Sequence, residues 1–245
     1  MTAVPHALDP ATAAEYLAGR EIMAAAGLLE DPVRFAYYGL EEPPKDEVLA
    51  GAPADRRLRA FLINLKNGES TDVVVSLGQH GVVSARTVDT AAEGQLPIID
   101  SEYPLVEEIV HADPGWQEAM ARRGLTDMSV IRICPITAGA FRAPAEDDER
   151  RMVRVLGFRQ AREHDLAWAH PIDGVTAHVD LIEKKVLRVT DEFELPVPSE
   201  SGDYDDPAVR GPERTTLRPI EITQPEGPSF TVEGTLLRWQ DWSLR

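Results

Sequence analysis

Hydrophobic and polar positions run through the same order twice along this chain. Ala14, Ala18, Ile22, Ala25 and Leu29 recur at helical spacing, which predicts an amphipathic helix stopped by Gly27. Two start signals compete: Asp9 with Pro10 in the first turn, or Thr12 with Glu15 as a capping box. Strand patterns follow at residues 33–40, 58–65, 73–77 and 82–88. Asn67-Gly68 favours a tight hairpin because both residues tolerate positive φ, and Gly78 and Gly81 frame a second turn. Leu58, Ala60 and Leu62 alternate with Arg57, Arg59 and Phe61, so this sheet should be packed on one face and more exposed on the other.

The order then returns. Leu105, Val106, Ile109 and Val110 sit at helical spacing, and Trp116, Ala119 and Met120 are expected to continue that helix past Pro114. Strand patterns lie at 130–136, 152–160, 175–182 and 186–190, with the acidic stretch 146–149 as a solvated hairpin connection. The predicted class is α+β: two successive small domains, residues 8–90 and 95–191, each a helical region on a four-stranded antiparallel sheet of cystatin-like form. Residues 192–245 differ. Pro196, Pro198, Pro207, Pro212, Pro219, Pro225 and Pro228 exclude a long helix and central strands. This reads as an extended arm, followed by strand patterns at 230–232 and 236–242 with too few partners to bury themselves.

Charge narrows the partners. Among 245 residues, 42 Asp and Glu stand against 25 Lys and Arg, a formal net charge of −17. Such a surface repels nucleic-acid phosphates and anionic membranes, so neither is expected as a partner. It favours solubility and draws in cations, amines among them. Cys134 is the only cysteine, which excludes an intrachain disulfide and a thiolate metal cluster. In the run Val130-Ile131-Arg132-Ile133-Cys134 it reads as a buried thiol. No basic residue precedes Arg20 and no apolar stretch is long enough for a leader or a membrane span, so a cytoplasmic location is expected.

Several blocks carry a resemblance. The segment 218–232, from Arg218-Pro219-Ile220-Glu221 to Ser229-Phe230-Thr231-Val232, resembles the connection between the third domain of copper amine oxidases and their catalytic domain. Trp239-Gln240-Asp241-Trp242 resembles that domain's first strand. Ala167-Trp168-Ala169-His170-Pro171-Ile172-Asp173-Gly174 and Phe193-Glu194-Leu195-Pro196 match further blocks, with shorter ones at Asp89-Thr90-Ala91-Ala92 and Ala7-Leu8-Asp9-Pro10. The blocks keep the family's order along the whole chain. Thr235 departs from the pattern, where an asparagine is usual after the glycine.

The resemblance implies the non-catalytic front of an enzyme that converts primary amines to aldehyde, ammonia and hydrogen peroxide, cut off before its catalytic domain. That chemistry rests on copper held by three histidines, two of them spaced His-x-His, on topaquinone made from a tyrosine in Asn-Tyr-Asp/Glu-Tyr, and on a carboxylate base. Asn64 and Asn67 are the only asparagines and neither precedes a tyrosine; the six histidines contain no His-x-His pair. No cofactor and no catalytic residue is therefore expected in this chain. What the resemblance carries over is the entrance: Tyr103, Ile136 and Trp168 match side chains that line the amine's route, where they would select by shape and apolar contact. It also implies the chain's own catalytic domain and a second copy as partners.

Each residue has a plainer reading: Trp168 as a structural tryptophan, Tyr103 as a helix staple, Ile136 as core. His170 should pack or hydrogen-bond locally. His178 and Asp180 share a strand face, but two ligands do not make a metal site. Asp203, Asp205 and Asp206 lack the terminal glutamate of a calcium loop and read as a solvated turn. A stand-alone binding module remains the alternative to an enzyme piece.

Overall fold

The computed structural model describes residues 6–51, 55–137 and 150–245. The acidic stretch 146–149 lies outside them. The first helix, α1 (Ala13–Ala25), starts at the capping box: the Thr12 hydroxyl accepts from the Glu15 amide while the Glu15 carboxylate accepts from the Thr12 amide. Gly27, at φ 73°, follows its end. Behind it stands a meander of β1 (Val33–Glu41), β2 (Arg57–Asn64), β3 (Ser70–Ser76) and β4 (Gly81–Thr87), paired in that order and antiparallel throughout. Leu58, Ala60, Leu62, Val73 and Val75 meet Met23 of the helix in a sealed core. Met23 is fully buried, so its truncation to alanine should cost about 2–5 kcal/mol. Helix and sheet approach closely at Gly19, where a Cβ would fall 2.2 Å from the Tyr38 hydroxyl; that hydroxyl donates to the Tyr16 carbonyl.

Two short helices escape the sequence periodicity. These are α2 (Lys45–Ala50), behind Pro43-Pro44, and α3 (Thr90–Glu93), capped by Asp89. Each is too short to show a hydrophobic repeat.

The second round corrects one expectation. The helix does not run through Pro114: α4 (Glu102–Ala112) and α5 (Pro114–Arg122) meet at Asp113, which is extended at φ −76° and ψ 125°. A residue before proline is pushed out of the helical region, and the Asp113 carboxylate restarts the helix by accepting from the Trp116 amide at 2.8 Å. These helices cover a second antiparallel meander, β5 (Ile131–Thr137), β6 (Met152–Arg159), β7 (Val175–Asp180) and β8 (Lys185–Asp191). Its core joins Val106, Val110, Trp116 and Met120 to Ile131, Val153, Val155, Val175 and Val179.

Beyond Asp191 the chain runs largely irregular, with one turn of helix, α6 (Pro207–Arg210), capped by Asp206. It ends in a small sheet of β9 (Thr231–Glu233), β10 (Leu236–Trp239) and β11 (Trp242–Leu244), whose Val232, Trp242 and Leu244 are exposed.

Candidate functional site

Among the described residues, the helices pack on one face of the second sheet, and strand alternation decides what the other face presents. Ile131, Val153 and Val155 point into the core, so Arg132, Cys134 and Ile136 of β5, opposite Phe158, Leu156 and Arg154 of β6, point away from the helices. The row at Ile136 continues through Arg154 to His178 and Arg188, and a guanidinium nitrogen of Arg188 lies 3.1 Å from His178 Nδ1. The row at Phe158 pairs it with Arg132 and, through an isolated bridge, with Pro171. The outer face thus carries Arg154, His178 and Arg188 at one end, and Phe158 with Arg132 opposite it at the other.

Trp168 belongs to the Phe158 end. It rides a single 3-10 turn, Ala167–Ala169, and meets Phe158 edge to face with ring centres 4.4 Å apart. The segment after the turn is laced to the end of β6: the Arg159 amide donates to the His170 carbonyl at 2.9 Å, and the Ile172 amide to Gly157 at 3.0 Å. With 59% of its surface exposed, Trp168 is no core residue, so most of the ring is available to something outside. An indole face suits both the apolar side chain of an amine and its cationic nitrogen.

Ile136 is exposed on the same face, opposite Arg154. Arg154 and Phe158 stand four positions apart on β6, about 13 Å at strand rise. Tyr103 is exposed on the helical layer, in the first turn of α4. That turn is fixed by Glu102, whose two oxygens accept from Nε and Nη2 of Arg151 at 2.6 Å each, both side chains buried. Arg151 also donates to the carbonyls of Leu96 and Pro97, tying the segment before α4 to the start of β6. The structure therefore puts Tyr103 and Ile136 at one end of the sheet on opposite layers, and Trp168 at the other end. The three do not form one cluster in this chain.

Other candidates resolve into local roles. Cys134 is half-buried, not sealed as expected, because it lies on the face turned away from the helices; burial still pushes its thiol up. Asp180 receives Arg150 at 2.7 Å and caps the turn at Ile182 and Glu183. Among the described residues, no three His, Cys, Asp or Glu side chains converge as a metal requires. Among the described residues, no set of side chains fits the copper centre that the resemblance implies. Asp165 was not legible as a site residue: its partner Gly202 is 37 positions away, and nothing local marks the pair.

Two antiparallel meanders, each under its own helices, define the α+β architecture of this chain. Residues 12–85 match the family model of the AGAO-like N2 domain, and residues 101–206 that of the copper amine oxidase N3 domain. The chain is 45% identical to a histamine oxidase of Arthrobacter globiformis over 99% of its own length and 35% of that protein's. It is 36% identical to a primary amine oxidase of an Arthrobacter species over 100% of its length and 37% of the relative's. A copper-containing benzylamine oxidase from Hansenula polymorpha shares the fold, with a TM-score of 0.72 at 18% identity over 98% of this chain and 40% of that one. The chain belongs to the copper amine oxidase family through its N2 and N3 domains. It spans about a third of the length of the curated relatives it matches. No helix among the described residues is long and apolar enough to cross a membrane.

Proposed function

We propose that this chain supplies the non-catalytic, entrance-forming part of a primary-amine oxidase. In this reading Trp168 is a wall against which the amine's side chain is sorted, and Ile136 and Tyr103 contribute at separate points of the same route. The observation that carries it is the exposed indole of Trp168, held edge to face on Phe158 on the sheet face turned away from the helices. An exposed aromatic of fixed orientation offers area without chemistry, which is what selection among amines by side-chain size needs.

Copper and topaquinone belong, in this reading, to the remainder of the oxidase, as do the catalytic base and the pairing with a second copy. The single cysteine accords with a reducing compartment, here taken as the cytoplasm. The test compares this chain alone with a chimera in which it replaces the matching region of the Arthrobacter globiformis relative. The chimera should release hydrogen peroxide from a primary amine; the chain alone, loaded aerobically with copper, should not. Peroxide from the chain alone would overturn the reading.

A further inference from the structure

We propose that Asp165, His170 and Gly202 are positioning residues for Trp168, through a strap at residues 198–202 that clamps the turn carrying the indole. The proposal rests on the reading of Trp168 as a wall residue and adds what sets the wall's shape.

The strap is tied on both sides of the turn. His170 Nδ1 lies 2.7 Å from the Pro198 carbonyl. A carbonyl only accepts, so Nδ1 carries the hydrogen. The ring's other nitrogen faces Asp165 Oδ2 at 3.1 Å, with both side chains sealed from solvent. Asp165 Oδ1 accepts from the Gly202 amide at 2.6 Å, and the Gly202 carbonyl accepts from the Leu166 amide at 3.3 Å. Arg162 adds a bond to the Ser201 hydroxyl at 2.7 Å. The His170 ring, then the Gly202 amide and Arg162, hold the Asp165 carboxyl below the ordinary carboxylate range.

Steric fit explains the glycine. A Cβ at position 202 would stand 2.8 Å from the Ala169 methyl and 3.1 Å from both Asp165 Oδ1 and the Leu166 carbonyl. The first contact is closer than real side chains sustain, so any other residue must push the turn or the strap away.

The clamped turn adds nothing to the core. None of residues 166–169 is buried, and Leu166 and Trp168 are its exposed large side chains. A buried acid–imidazole pair is costly to assemble in a segment that seals no core. What the pair fixes is the placement of an exposed ring, with Phe158 on one side and the strap behind the turn. Positioning of this kind is what a selective wall requires, because a displacement of about 1 Å alters the contact that sorts substrates.

The test labels the full chain with 5-fluorotryptophan and follows its four fluorine resonances, with that of Trp168 assigned by its loss in Trp168→Phe. Gly202→Ala and Asp165→Asn should each shift or broaden the Trp168 signal beyond its linewidth and leave the core Trp116 signal in place. Ser199→Ala, in the same strap but outside the hydrogen-bond set, should leave both unmoved. If Gly202→Ala also disturbs Trp116, the isosteric Asp165→Asn decides. A Trp168 signal unmoved in Asp165→Asn, or moved only together with Trp116, overturns the proposal. A displaced Trp168 signal alongside unchanged amine selectivity in the assembled oxidase would keep the strap and remove the wall.

Discussion

The hydroxyl of Thr235 donates to the carboxylate of Asp9 at 2.6 Å, joining two residues 226 positions apart. Arg245 reaches the same oxygen at 3.1 Å and the Thr235 hydroxyl at 3.1 Å. Thr235 stands where the family pattern has asparagine, and here it has a specific partner. Asp9 is itself held in place, because Arg56 donates to the carbonyls of Ala7, Asp9 and Pro10 and to the Glu15 carboxylate. The small sheet of β9 to β11 is thus moored to the segment that precedes α1.

Thr235→Val keeps the shape of the side chain and removes the donor. Amide exchange in 231–244 should accelerate several-fold, while β2 and β3 keep their protection. Exchange unchanged in the small sheet would mean that the mooring carries no load.

Glu102 and Arg151 form the most fully buried ion pair among the described residues, each side chain 3% exposed. Removing one partner leaves a buried charge without its counterion. Glu102→Gln should therefore lower unfolding free energy by about 3–5 kcal/mol in a urea titration. A loss below about 1 kcal/mol would place the pair with ordinary surface bridges.

Asp191 gives a pH dependence. Arg123, with Arg122 beside it, pulls the Asp191 carboxyl from its ordinary 3.8 to about 2. Because the folded value is depressed, the stabilisation is present above 3.8 and disappears as pH falls through about 2. Asp191→Asn should be less stable than the wild type at neutral pH, by about 2 kcal/mol. The gap should narrow between pH 4 and pH 2 (). A gap constant across that window would show that the charge of Asp191 is not what Arg123 holds.

Most of the fold was legible because its signals are local. The eight strands of the two meanders fall within a few residues of where alternation and turn residues put them. Thr12 and Glu15 announced the start of α1. The break at Asp113 was written in the Asp-Pro pair, yet apolar spacing continues across it and masks the change of axis. The buried polar pairs were not legible: Glu102 meets Arg151 across 49 positions and Asp165 meets Gly202 across 37, and neither distance leaves a trace in periodicity. Of the candidate entrance, the exposure of Trp168 and its contact with Phe158 needed the structure, because a turn's orientation against a strand is set by tertiary packing.

Limited proteolysis tests how the arm beyond residue 192 is held. The strap at 198–202 is tied to Asp165 and His170, so the first cuts should fall beyond it, between 203 and 214, where side chains are exposed. Mass spectrometry of a time course should show a core containing both sheets and ending near residue 203. Early cleavage inside 195–202 would contradict the strap's anchoring.

Sorting of amines by Trp168 is tested most directly by the selectivity of an oxidase that carries this chain. In the chimera with the Arthrobacter globiformis relative, kcat/KM is measured for a bulky aromatic and a small aliphatic primary amine, with and without Trp168→Ala. The ratio of the two values should change by about tenfold or more, equivalent to about 1–3 kcal/mol of lost apolar contact, while quinone content stays the same. A ratio unchanged by the substitution, at equal quinone content, would contradict it.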